Sequence, residues 1–86
     1  MNLKGANPAA ASHLEFAIPE AGHVTLRVYD LQGRSVRTLL DQDAAAGSFV
    51  SRWDGTMDSG ARAQKGVYFV RLTAGTKATE RKIVLE

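Results

Sequence analysis

Residues 23–39, HVTLRVYDLQGRSVRTL, decide the fold class of this chain. An apolar residue stands at every second position from Val24 to Val28, which is typical of a β-strand with one face on a core and the other toward water. The glycine in LQGR (31–34) suits a tight turn, and alternation resumes in RSVRTLL (34–40). This stretch therefore predicts two strands joined by a short turn.

The same spacing of two recurs along most of the chain. Further alternating runs occupy residues 13–18, 48–53, 67–73 and 77–85, and no segment shows a helical apolar stripe. These six strands, with a short seventh expected at ARAQ (61–64), are typical of an all-β, immunoglobulin-like β-sandwich of about seven antiparallel strands.

Composition divides the chain into two parts. Residues 1–11 contain Gly, Asn, Pro and a run of Ala, so we expect a linker or leader there and the Ig-like domain over 12–86. The segment DQDAAAG (41–47) is expected to be a loop.

Alternation also predicts the core, in which Trp53 is expected to fill the space between the sheets. The inward positions are Leu14, Phe16, Ile18, Val24, Leu26, Val28, Val36, Leu39, Trp53, Tyr68, Val70, Leu72, Ile83 and Leu85.

The charge balance argues against several classes of partner. Eleven Lys and Arg face nine Asp and Glu, which gives a net charge of +2, and the basic residues do not form the clustered stripe typical of nucleic-acid binding. No apolar run approaches the roughly 20 residues of a membrane span. The absence of cysteine excludes disulfides and thiolate sites. We therefore expect neither a nucleic-acid partner nor membrane insertion.

A family pattern runs through residues 7–85. It comprises NP (7–8), IPEAG (18–22), HVTLRVYDLQGRSVRTL (23–39), AAGSFVSRWDG (45–55), KGVYFVRLTAG (65–75) and RKIVL (81–85). In this order the chain resembles the C-terminal Ig-like domain that is shared by type IX secretion sorting domains and flagellar hook-capping proteins. VYDLQGR, WDG and GVYFVRL together carry the resemblance.

The resemblance implies a non-catalytic seven-stranded sandwich in an exported bacterial protein, located outside the cell or at its surface. It implies protein partners, namely export or assembly machinery and the upstream part of the parent protein, and no cofactor. Two features depart from the sorting domains. The chain ends KIVLE instead of in basic residues, and PAAAS (8–12) replaces the usual start.

The segment WDGTMDSG (53–60) has two interpretations. Asp54 and Asp58 could be ligands of a calcium loop, but calcium takes six to eight oxygens and only two acids are present. Asp54 could instead close an Asx-type turn, with Gly55 and Gly60 in conformations that favour glycine. The turn is the favoured interpretation, and the resemblance implies the same. Gly66 is expected to close a corner before the strand of Tyr68.

Other candidate sites are weaker. His13 and His23 could face each other across a strand pair, but two ligands are too few for structural zinc. The serines have no His and Asp partners in a recognisable order, so the sequence predicts no enzyme.

A ladder of Arg and aromatic side chains is the one candidate binding face. Arg27, Tyr29, Arg52, Phe69 and Arg71, together with Arg37, are expected on outward faces, where they could stack on sugars or bases. The favoured alternative is a solvated face in which arginine stems cover the rings.

Three functional hypotheses follow. The leading one is secretion sorting, surface anchoring or structural spacing, with recognition through the last strand, 77–85. The alternatives are a carbohydrate- or surface-binding adhesion module, which requires Tyr29 and Phe69 in one exposed platform, and a hook-cap-type assembly domain that self-associates.

Overall fold

The structure, a computed structural model, describes residues 2–6 and 12–85. In these residues it contains seven strands and no helix. The strands are β1 (Asn2–Ala6), β2 (Ser12–Ile18), β3 (Gly22–Tyr29), β4 (Ser35–Ala44), β5 (Gly47–Trp53), β6 (Gly66–Ala74) and β7 (Lys77–Leu85). The predicted all-β fold is confirmed.

The strands form two antiparallel sheets, with the orders β1-β2-β5 and β4-β3-β6-β7. In a constant-type Ig domain the fourth strand joins the sheet of the first, second and fifth strands. Here β4 pairs with β3 instead. The sandwich is therefore divided into three and four strands, and the larger sheet carries the fourth strand.

The core lies between the two sheets. All the residues assigned to it by alternation are buried except Leu39, which is partly buried. In the ladder between β3 and β4, Leu26 pairs with Leu40 and Arg27 with Thr38, so Leu39 has no partner. A bulge of this kind breaks the period of two, and strict alternation cannot anticipate it.

The structure differs from the expectation for the segment 1–11. Residues 2–6 form β1, which pairs with β2 and places Leu3 opposite Phe16. This strand has five residues, two of which, Asn and Gly, are depleted in strands. The pairing with β2 is a tertiary effect that local composition does not reveal. Residues 7–11, which include Pro8, lie outside the described residues.

Two further expectations are wrong. The segment 61–64 is not a strand, since Arg62 makes only an isolated bridge with Thr56. The segment 41–47 is not wholly a loop, because β4 continues through Ala44. Its polar residues Asp41 and Asp43 are compatible with a strand because their side chains have a hydrogen-bond partner on β3.

The strand directions define two ends of the sandwich, which measures 35 × 21 × 20 Å. The Trp53 end is where β3, β5 and β7 finish and β6 begins. At the opposite end lie the turns 19–21, 45–46 and 75–76. The described part of the chain has no helix that could cross a membrane.

Candidate functional site

Segment 53–60 forms a tight turn at the end of β5. One carboxylate oxygen of Asp54 accepts hydrogen bonds from the hydroxyl (2.6 Å) and the backbone N–H (3.0 Å) of Thr56. These two donors, the hydroxyl first, lower the pKa of Asp54 because they favour the charged carboxylate. This geometry is that of an Asx-type turn.

Trp53 and Tyr68 fix this turn to the core. Trp53 is fully buried, and its indole N–H donates to the carbonyl of Thr56 over 2.8 Å. Its ring meets Tyr68 edge to face, with centroids 5.1 Å apart. The Tyr68 hydroxyl donates to the carbonyl of Gln64 over 2.5 Å, and desolvation is the main cause of its raised pKa.

This arrangement of Tyr68 matches a known feature of Ig sandwiches. A tyrosine near the start of strand F, with its hydroxyl bonded to the backbone a few residues upstream, is a tyrosine corner. Tyr68 is the third residue of β6, the sixth strand, and bonds four residues upstream. Sequence analysis placed Tyr68 in the core but missed this corner.

The glycines of the turn occupy different environments. Gly55 has a φ of 84° and is buried, and a Cβ built on it would lie 3.2 Å from Leu85 Cδ1. Gly60 has a φ of 92° with open space around it. Gly66 is the first residue of β6.

Asp58 protects an exposed sheet edge. One of its carboxylate oxygens accepts the backbone N–H of Thr38 (3.0 Å), and its own N–H donates to the carbonyl of Val36 (2.9 Å). Arg37 clamps the same loop through bonds to the hydroxyl of Thr56 (3.2 Å) and the carbonyl of Met57 (3.1 Å). The loop thus covers part of the outer edge of β4, a device that limits unwanted strand pairing. No signal in the sequence identifies this long-range contact.

Both acids of the turn are therefore occupied by protein hydrogen bonds. Asp54 accepts donors of its own turn, and Asp58 accepts a backbone donor from β4. Within residues 2–6 and 12–85, no group of three or more His, Cys, Asp or Glu side chains is arranged to hold a metal ion. The geometry favours the turn over the calcium loop.

Four members of the proposed binding face lie together on the outer side of the larger sheet. Tyr29 pairs with Phe69, and Arg27 pairs with Arg71. Each arginine also has an acidic partner on the next strand. Arg27 Nη2 lies 3.8 Å from Asp41 Oδ2 on β4, and Arg71 Nε lies 3.4 Å from Glu80 Oε2 on β7. These acids offset the positive charge that an anionic ligand would require.

Two other arginines do not join this face. Arg52 lies on β5 in the smaller sheet, opposite His13. Arg37 is held by the loop that covers β4. Outward alternation identified both as exposed or partly exposed side chains, but it could not assign them to a sheet.

The pairing suggested for the two histidines is wrong, because His13 lies in the smaller sheet and His23 in the larger one. His23 instead bonds Asp43 (2.9 Å) and Asp41 (2.6 Å) on β4. These two side chains, Asp43 first, raise the pKa of His23. Sequence analysis missed this cluster. The alternation of Asp41 and Asp43 was the available signal, since it places both on one face of a strand.

The His23 cluster predicts a pH-dependent contribution to stability. Because its pKa is raised in the folded state, His23 stabilises the fold fully below its ordinary pKa of about 6.5, and this contribution is lost as the pH rises through the folded-state value. We expect His23→Gln to lower Tm more at about pH 5 than at about pH 8. Thermal unfolding at both pH values measures this, and the effect is small because the groups are exposed.

His13→Gln is the matched control for this titration, since His13 lies in the other sheet with Glu15 at 3.8 Å. A His23→Gln effect on Tm that is equal at both pH values would contradict the prediction.

The sequence matches the FlgD Ig-like domain over residues 2–78. The chain belongs to the FlgD Ig-like domain family. This is the family of flagellar hook-capping proteins, one of the two groups that the motifs resemble. No curated protein gives a significant match to the chain. The match ends within β7, whereas the buried residues Ile83 and Leu85 extend the folded unit through the whole strand.

Membership in this family assigns the general character of the domain. The FlgD Ig-like domain family is structural and non-catalytic, and its members are assembly-type modules. In this chain the motif WDG forms the turn that secures Trp53, and GVYFVRL forms most of β6, which carries Tyr68. The residues that carry the resemblance therefore include those that hold the sandwich together.

Proposed function

We propose that this domain is a non-catalytic module of an exported bacterial protein that spaces or anchors its neighbours and binds export or assembly proteins at the cell surface. Its membership in the hook-capping family over residues 2–78 carries the proposal. Secretion sorting is the specific form of this role that we test first.

The strand directions suit a spacer. β1 begins at the opposite end of the sandwich, where Asn2 pairs with Ala17, and β7 finishes at the Trp53 end, where Leu85 pairs with Gly66. Chain segments joined to these strands would leave from opposite ends of a body 35 Å long. The contact of Trp53 on β5 with Tyr68 on β6 joins the two sheets at one end of this body.

The last strand suits recognition by a partner. β7 pairs only with β6 among the described strands, so it is the terminal strand of the larger sheet, and β1 of the smaller sheet lies next to it. Edge strands can bind another protein by strand addition. Charged residues such as Glu80 and Lys82 prevent indiscriminate pairing, so a partner of β7 has to match charge as well as backbone.

An export assay tests the sorting role. The chain is fused behind a fluorescent reporter that is targeted to the periplasm of a host with a type IX system, and reporter outside the cell is measured. Deleting β7 would be uninformative, because Ile83 and Leu85 belong to the core. We therefore use the double variant Glu80→Gln and Lys82→Gln, with Glu15→Gln and Arg52→Gln on the smaller sheet as the matched control.

We expect the wild-type and control fusions to reach the surface or the medium, and the β7 variant to remain in the periplasm while folded. A folded wild-type fusion that stays in the periplasm would contradict sorting in that host. Equal export of the β7 variant and the control would contradict recognition through β7.

Adhesion to carbohydrate is a second candidate, favoured by the outer face of the larger sheet. Tyr29 and Phe69 are cross-strand neighbours, both half-buried, beside a shallow depression of about 170 Å³ that Arg71 and Glu80 also line. Retention on immobilised polysaccharides, lost in Phe69→Ala but kept in Val50→Ala on the other sheet, would support it.

Self-association of the hook-cap type is a third candidate function, and sedimentation of the chain alone tests it.

A further inference from the structure

A groove of about 560 Å³ crosses the Trp53 end of the sandwich. One wall is the turn between β3 and β4, residues 30–34, and the other is the segment 57–66 between β5 and β6. Neither Tyr29, Phe69 nor any residue of β7 lines this groove, although Asp30 borders both the groove and the depression beside Phe69.

The groove contains most of the exposed large apolar side chains of the described chain. Three large apolar side chains are exposed in the described chain, namely Leu31 (67% of its surface), Val50 (59%) and Met57 (37%). Leu31 and Met57 both line the groove, whereas Val50 lies on the smaller sheet. Single exposed apolar residues are ordinary, but apolar side chains that share one concave surface mark an interaction site.

Both walls are fixed by hydrogen bonds. The carboxylate of Asp30 accepts the backbone N–H groups of Gln32 and Arg34, each over 2.9 Å, and these bonds, that of Arg34 first, lower its pKa. On the other wall the backbone N–H of Met57 donates to the carbonyl of Ala61 over 2.7 Å. A ligand would therefore meet a preformed groove and lose little binding energy in ordering it.

The groove carries a positive charge. Arg34, Arg62 and Lys65 line it, and Asp30 is the one carboxylate among its described lining residues. Asp30 is already paired with Arg34 at 3.1 Å. Arg62 and Lys65 form no ion pair within the described part of the chain, so both remain available to an anion.

We propose that this groove binds an acidic segment of a partner protein and that an apolar side chain of the segment packs against Leu31 and Met57. Charge complementarity with Arg62 and Lys65 selects the acidic partner, and the apolar walls favour a peptide over a purely polar anion. The inference rests on the proposed role as a protein-binding module but concerns a surface other than β7.

The binding test uses the full chain and a fluorescently labelled peptide of alternating Glu and Leu. Two comparison peptides replace Glu by Lys or Leu by Ser. The protein variants are Arg62→Gln with Lys65→Gln, and Leu31→Ser. Arg52→Gln with Lys77→Gln, which removes the same charge elsewhere on the surface, is the matched control, and thermal unfolding verifies that each variant is folded.

We expect the Glu-Leu peptide to bind more tightly than either comparison peptide, and the double groove variant to weaken binding by about tenfold relative to its control. Leu31→Ser should weaken binding while preserving its salt dependence. Equal binding of all three peptides, or equal loss in groove variant and control, would overturn the proposal.

Self-association is a separate outcome. The wild-type chain alone could form a dimer that the double groove variant does not form. This result would show that a second copy occupies the groove, and it would overturn the proposal of an acidic partner. Testing the groove and β7 variants in both the export and the peptide assays separates the two proposals. If export is lost only in the β7 variant, the peptide assay decides whether the groove inference is correct.

Discussion

Replacement of Trp53 by alanine is expected to lower the free energy of unfolding by about 3–5 kcal/mol. The side chain is fully buried and is the largest in the core. Its removal opens a cavity beside Tyr68 and leaves the carbonyl of Thr56 without its indole donor. Small domains have about 5–15 kcal/mol of stability in total, so the loss takes a large share of it.

Urea unfolding followed by circular dichroism measures this effect without relying on tryptophan fluorescence. Trp53→Phe is the matched control, because it keeps an aromatic ring near Tyr68 and removes only the hydrogen bond and part of the volume. We expect it to lose less than Trp53→Ala. A Trp53→Ala protein with the wild-type unfolding midpoint would show that Trp53 does not support the core as described.

Alternation predicted the strands and the core because burial on one face of a sheet imposes a period of two. The prediction worked for the run from Val24 to Val28, where each inward residue is buried. It was inaccurate for Leu39 because a bulge adds a residue to β4. It missed β1, whose position depends on the pairing of Asn2–Ala6 with β2.

The candidate site was less predictable because its contacts join distant segments. Asp54 and Thr56 are two residues apart, so the turn chemistry was visible in the sequence. The bond from Thr38 to Asp58 spans twenty residues and two elements. Likewise, the outward position of Arg52 was inferable from alternation, whereas its location on the smaller sheet depended on the topology.

Replacement of Gly55 by alanine is expected to lower the free energy of unfolding by about 2–4 kcal/mol, from the positive φ together with overpacking. Gly60→Ala is the matched control. Its φ of 92° is close to the 84° of Gly55, but apart from its two chain neighbours no residue lies within 4 Å of its added Cβ. We expect the control to lose only about 1–2 kcal/mol, the cost of the backbone conformation.

The difference between the two glycine variants isolates the contact with Leu85, because alanine reduces the entropy of the unfolded chain at both positions. At Gly55 the added Cβ would lie 3.2 Å from Leu85 Cδ1, closer than an unstrained contact. Leu85→Val, which shortens that side chain, should therefore offset part of the Gly55→Ala loss in a double-mutant cycle. Equal losses at Gly55 and Gly60, with additive effects of Leu85→Val, would mean that the backbone alone requires glycine after Asp54. A larger loss at Gly55 would mean that this glycine also lets the WDG turn pack against the last residue of β7.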